Sequence, residues 1–175
     1  DAPWPLEELY LHGSDLSADA AGPALAALSR HARLRRLDVG SCELSAAGFK
    51  ALVEAAWPAL TYLCANHAKA AFDGPHALGA AAFAGFPILE ELELYKVPLG
   101  AAGAALLASR RWTRLEKLDL CASRLGDAGL AALARGNFPA LEELDLRGND
   151  LGAPLSLEDA RRWAPALKEL IQDGE

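Results

Sequence analysis

Residues 141–152 read LEELDLRGNDLG, and the spacing of their apolar positions, L-x-x-L-x-L-x-x-N-x-L, returns along the whole chain. Earlier copies open at Leu6, Leu34, Leu60, Leu89 and Leu115, and a partial seventh opens at Leu167. Successive starts lie 28, 26, 29, 26, 26 and 26 residues apart. A fixed period of this size marks a stack of like units, none of which buries its apolar face alone. Function is therefore to be sought on a repeated surface.

Each position in the unit has a distinct task. Alternate residues of a strand face opposite ways, so Leu118 and Leu120 of LDL are expected inside and Asp119 outside. Every repeat then supplies one short strand. The Asn149 position, filled by Cys42 in the second copy and by Ser14 and Ser123 in others, lies where the chain leaves the strand. An Ala-rich stretch follows, such as residues 126–138, with Leu130 and Leu133 three apart as on one helical face. Gly126 and Asp127, like Ser17 and Ser45, occupy places suited to helix capping, and Gly136-Asn137 supplies a stop. The glycines within residues 100–103 and 126–129 recur at fixed positions and are assigned to the turn into each helix. An aromatic with proline returns the chain to the next strand at Trp57-Pro58, Phe86-Pro87 and Phe138-Pro139, with Trp112 in the same place lacking the proline.

This pattern resembles the leucine-rich repeat over nearly the whole chain. LGDAGLAALA from Leu125 and GPALAAL from Gly22 are similar to the cysteine-containing and ribonuclease-inhibitor-like subclasses. The 26-residue period resembles the former, in which Cys42 alone fills the cysteine position here; the 28- and 29-residue copies resemble the latter. The resemblance implies an α/β solenoid with a curved parallel sheet on the concave face and helices on the convex face. It also implies that the Asn149 side chain points inward and bonds backbone groups of neighbouring turns. Repeats of the first subclass serve as substrate-recognition halves of F-box ubiquitin-ligase adaptors, although no F-box lies in this sequence. Members of the second bind basic proteins or regulate small GTPases.

The 175 residues form a continuous array, expected to be a single leucine-rich repeat domain over 1–175 without a linker. No apolar run approaches the ~18 residues needed to cross a bilayer, so no membrane insertion is expected. The three cysteines Cys42, Cys64 and Cys121 are odd in number and lie at different repeat positions. That usage, with no N-x-S/T sequon, suggests an intracellular and most simply cytoplasmic protein. Trp4-Pro5-Leu6 resembles the junction of two repeats, and neither end carries an evident cap. The chain is therefore expected to be an excerpt of a longer chain or a subunit of a larger assembly.

The outward strand positions form columns. One runs Tyr10, Asp38, Cys64, Glu93, Asp119, Asp145, and its neighbour runs Glu8, Arg36, Tyr62, Glu91, Lys117, Glu143, Glu169. Beyond the third leucine lie His12, Asn66, His67, Tyr95, Lys96, Cys121 and Arg147. Eight carboxylates face four Lys or Arg side chains, leaving the concave face about four charges negative within a net charge of −7. The expected protein-binding residues are Tyr10, Arg36, Asp38, Tyr62, Glu91, Glu93, Tyr95, Lys117, Asp119, Glu143, Asp145 and Arg147. Such a face suits a protein or peptide partner, a basic one above all, because charge steers encounter and aromatics supply anchors. Nucleic acid would be repelled.

Other chemistry finds little support. Cys64, His67 and His76 are metal-ligand and nucleophile types, but they fall in the irregular third repeat without a fourth ligand nearby. That repeat, carrying CANHAKA and Asp73-Gly74-Pro75, is expected to change the local curvature or bulge from the convex side. Arg110-Arg111 with Arg114, and Arg161-Arg162, form basic spots read as solvated helix ends. No phosphate-cradling glycine motif or nucleophile elbow occurs, so neither cofactor, metal nor catalysis is expected.

Overall fold

The computed structural model describes residues 6–31, 33–72, 74 and 77–173. In chain order they form β1 Glu8–Tyr10, α1 Ala21–Leu28, β2 Arg36–Asp38, α2 Ala46–Glu54, β3 Tyr62–Cys64, β4 Glu91–Glu93, α3 Gly100–Ala108, β5 Lys117–Asp119, α4 Gly126–Leu133, β6 Glu143–Asp145, α5 Leu157–Ala160 and β7 Glu169–Ile171. The strands make one all-parallel sheet in sequence order, β1 to β7. Paired strands lie ~4.8 Å apart whereas packed helices need ~8–10 Å, so the strand side is the shorter, concave one.

The leucine spacing builds the core as expected. Leu37, Leu63, Leu92 and Leu144 are fully buried in the strands, and Leu118 and Leu120 are buried on either side of half-buried Asp119. The return-turn aromatics Trp57, Phe86, Trp112 and Phe138 are buried in line, joined by Trp163, which the sequence reading passed over. Phe138 and Trp163 meet edge to face with centroids 5.7 Å apart. Two indoles do more than fill space: Trp57 Nε1 donates to Leu52 O and Trp112 Nε1 to Leu107 O, each at 2.8 Å. They thereby serve carbonyls at the ends of α2 and α3 that have no partner within the helix.

A second line of side chains stitches the repeats together. Asn149 is fully buried; its Oδ1 accepts from Ser123 N and Leu125 N, and its Nδ2 donates to Leu120 O and Leu146 O. At the equivalent position Ser123 Oγ donates to Leu94 O at 3.0 Å, and the Cys42 thiol to Leu11 O at 2.9 Å. Each reaches the equivalent carbonyl of the preceding repeat, at Leu11 and Leu94 in addition to the backbone donors Ser14 N and Val97 N. Ser14 differs: it is exposed, and β1 before it has no earlier strand or turn beside it among the described residues.

Several local expectations are corrected. Ser45 caps α2, its Oγ accepting from Gly48 N at 3.2 Å, but Ser17 and Asp127 cap nothing. Ser17 donates to Asp15 four residues before α1 begins, in the longer first repeat. Asp127 instead accepts from Gly152 N of the next repeat at 2.8 Å. The starts of α3 and α4 are tied by backbone, Gly100 N donating to Ser123 O and Gly126 N to Asn149 O. Gly100 and Gly126 have left-handed φ of 55° and 56°, as an entry turn requires, whereas Gly103 and Gly129 lie within the helices against Leu99 and Leu125. Gly136 is no helix stop, since α4 ends at Leu133; a Cβ there would lie 2.9 Å from Ala108 Cα, so it marks close approach of neighbouring turns.

The third repeat has no helix among its described residues. Turns over residues 80–85 replace it, held by Phe83 N donating to Val53 O at 2.7 Å. Lys50 Nζ reaches Ala77 O and Glu54 Oε1 accepts from Gly79 N, clasping this stretch to α2. Asp73 and Pro75 of the expected bulge lie outside the described residues. The helix expected after the sixth strand is reduced to α5, a single turn capped by Ser156.

Candidate functional site

The two columns read from sequence are rows of paired strand residues. Glu8, Arg36, Tyr62, Glu91, Lys117, Glu143 and Glu169 stand side by side, as do Tyr10, Asp38, Cys64, Glu93, Asp119, Asp145 and Ile171. The face divides chemically along its length.

From β1 to β4 the side chains form a continuous relay. Tyr10 OH donates to Glu8 Oε2 and receives Arg36 Nε at 3.2 Å, while the Arg36 guanidinium lies 4.0 Å above the Tyr62 ring. Tyr62 OH donates to Glu93 Oε1 and Asn66 Nδ2 to Glu93 Oε2, both at 3.1 Å. Burial, with the Glu93 carboxylate that accepts its hydroxyl adding to it, raises the Tyr62 pKa and keeps its phenol a donor. Tyr10 stays 55% exposed, the only large hydrophobic side chain so open among the described residues. Tyr95 is half-buried, with Lys96 Nζ 4.9 Å above its ring and His67 edge-on at 5.2 Å.

From β4 to β6 carboxylates prevail. Glu91, Glu93, Lys117, Asp119, Glu143 and Asp145 surround a shallow depression of about 140 Å³. Lys117 Nζ pairs with Glu143 at 3.2 Å, which raises the lysine pKa. Arg147 folds back over Asp145, its Nε 3.1 Å from both carboxylate oxygens. Asp145 is consequently 6% exposed, not a free surface charge, while Arg147 remains exposed.

The aspartates also have a structural task that alternation alone did not reveal. Asp38 Oδ1 accepts from Gly40 N, Asp119 Oδ1 from Cys121 N and Asp145 Oδ1 from Arg147 N, at 2.8, 2.8 and 3.0 Å. Each secures the turn that leaves its strand, a bond that Asp makes two residues ahead of itself. Glu93, one methylene longer, turns to Tyr62 and Asn66 instead; Asn66 Oδ1 from the third repeat takes over the equivalent amide, Tyr95 N, at 2.7 Å. The Asp-to-Glu change at this position was the available signal.

Burial raises the Asp119 pKa, with the Asp145 and Glu93 charges adding to it and the Cys121 amide opposing. Burial also pushes the Cys64 thiol up to about 12, so it is not a thiolate near neutral pH. Cys64 is buried and His67 exposed; His76 lies outside the described residues. Among the described residues no group of three or more His, Cys, Asp or Glu side chains is placed to hold a metal ion, and no helix is long and apolar enough to cross a membrane.

Residues 139–154, which include β6 and the buried Asn149, match the family model described as Leucine Rich repeat. No curated protein matches the chain closely enough in sequence to stand as a relative. The matched segment is the sixth of the in-register units, and its strand, turn and buried ladder position recur through the sheet, so the fold is an α/β leucine-rich repeat solenoid.

Proposed function

We propose that the protein is a non-catalytic binding scaffold, working as a component of a larger complex, that recognises a basic protein or peptide through its concave strand face. The observation that supports this reading best is the depression between β4 and β6, where Glu91, Glu93, Asp119 and Glu143 meet Lys117 alone as an inward-lying cation. The Tyr10, Arg36 and Tyr62 relay beside it offers rigid aromatic surface for anchoring. A phosphate backbone would be repelled by the same carboxylates.

The test begins with affinity capture from the native source and identification of partners by mass spectrometry. Glu93→Lys together with Asp119→Lys is expected to weaken binding of the captured partner by roughly tenfold or more, and more steeply at low salt. Both residues hold neighbours in place, so Glu91→Lys supplies the second arm, because Glu91 makes no side-chain hydrogen bond among the described residues. Unchanged affinity in Glu91→Lys and in the double variant removes the strand face from the reading.

A further inference from the structure

Arg110 and Arg111 follow α3 directly, where the turns of the helix-less third repeat meet the end of that helix. Phe83, Phe86, Pro87, Arg110, Arg111 and Trp112 border a cavity of about 190 Å³. The three aromatic residues are buried, while Pro87 and Arg111 are exposed. Phe83 carries a left-handed φ of 62°, uncommon for a bulky residue, and is held there by its bond to Val53 O and by edge-on packing on Phe49. Strain of this kind collects at functional sites.

Arg110 is half satisfied. One of its terminal nitrogens donates to Ala80 O, yet its Nε is the single buried side-chain nitrogen or oxygen without a hydrogen-bond partner among the described residues. Neither Arg110 nor Arg111 has a carboxylate within ion-pair distance among those residues, in a chain with 24 acidic and 17 basic side chains. Attraction to the negative end of α3 accounts for cations in this place. It gives the buried Nε no partner, and three of the last four carbonyls of α3 are served by other groups: Ala105 O by Ser109 N, Leu106 O by Ser109 Oγ, Leu107 O by Arg110 N and Trp112 Nε1.

We propose that this cavity is a second protein-binding site, independent of the strand face, that takes an acidic segment of a partner. An apolar side chain fills the space bordered by Phe86, Pro87 and Trp112, and the adjacent carboxylate accepts from the exposed Arg111, with the Arg110 guanidinium adding its charge. The volume is below the ~300–1,000 Å³ of small-molecule pockets, which suits one or two side chains of a protein anchor. Its charge is opposite to that of the concave face, so the two sites select different segments.

The test is a titration of the ¹⁵N-labelled chain, read by NMR, with three probes: acetyl-Leu-Glu-Leu-amide, its Gln counterpart and acetate. The Glu peptide is expected to shift the Arg110 Nε–H and Trp112 Nε1–H signals saturably, with the Gln peptide roughly tenfold weaker. Arg111→Gln, a change at an exposed position that leaves the thermal melt in place, lowers the Glu-peptide affinity similarly. Equal binding of the Glu and Gln peptides, acetate as effective as the peptide, undiminished affinity in Arg111→Gln, or absence of any shift at millimolar peptide each overturns the site.

Discussion

Asp119 is held by two opposed demands. Its Oδ1 is needed by Cys121 N, but its charge is half-buried beside Asp145 and Glu93, and its pKa is raised above the ordinary 3.8. The native state therefore keeps a proton at pH values where the unfolded chain has lost it, and stability falls as pH rises through the interval between 3.8 and the raised value. Above that interval the ionised side chain costs stability; below 3.8 the cost is absent. Asp119→Asn keeps the acceptor and removes the charge, so its urea midpoint is expected above that of the native chain near neutral pH, with the advantage vanishing in acid. Asp119→Ala, which leaves the amide unserved, is expected to be less stable by about 1 kcal/mol. A neutral-pH midpoint for the Asn variant below native would refute this account. Alternation in the LDL triplet was enough to place Asp119 outward. Its bond to the turn was legible only through the Asp-specific habit of reaching two residues ahead, and the fold of Arg147 over Asp145 depends on a flexible side chain that no spacing determines.

At the scale of the element, strands were more legible than helices. A period of two within LxL leaves one strand register, because a one-residue slip would turn Leu118 and Leu120 to solvent. Ser45 caps α2 as its type suggests, but α3 and α4 take their starts from neighbours: Ser123 O and Asn149 O receive their first amides, so cap residues within those two segments were poor guides. The loss of the helix in the third repeat likewise follows from context, where Ala65, Ala68 and Ala70 stand in place of larger side chains and residues 77–79 are bound by α2. Gly103 tests how tightly this layer is fitted. An added Cβ would lie 2.6 Å from Leu99 Cβ and 2.9 Å from Phe72 Cζ, and Leu99, 1% exposed, has nowhere to move. Ala gains about 1 kcal/mol of helix propensity over Gly, against about 1–3 kcal/mol for overpacking a filled core. Gly103→Ala is expected to lower the melting temperature, whereas a rise would mean that α3 shifts outward at little cost.

Over the whole molecule, each unit is stabilised by the two it touches, so a residue's worth depends on its place in the array as much as on its type. The first strand leucines show this directly. Leu37, Leu63, Leu92 and Leu144 are fully buried and Leu118 nearly so, yet Leu9 in β1 and Leu170 in β7 are only half-buried, though all seven occupy the same repeat position. The repeat spacing made these residues equivalent; only stacking separates them, since β1 and β7 each have a single neighbouring strand among the described residues. Leu63→Ala opens a cavity closed on both flanks and is expected to cost about 3 kcal/mol, whereas Leu9→Ala removes a side chain already partly in water and is expected to cost about 1 kcal/mol. Hydrogen exchange should follow the same gradient, with amide protection highest in β3 to β5 and falling toward β1 and β7. Equal losses for the two leucines, or uniform protection across the seven strands, would mean that the sheet opens as one cooperative block rather than from its flanks. The distinction bears on binding, because two of the three strands under the depression, β4 and β5, are then among the most protected, while Tyr10, exposed on β1, stands on the first described strand, where protection is expected to be low.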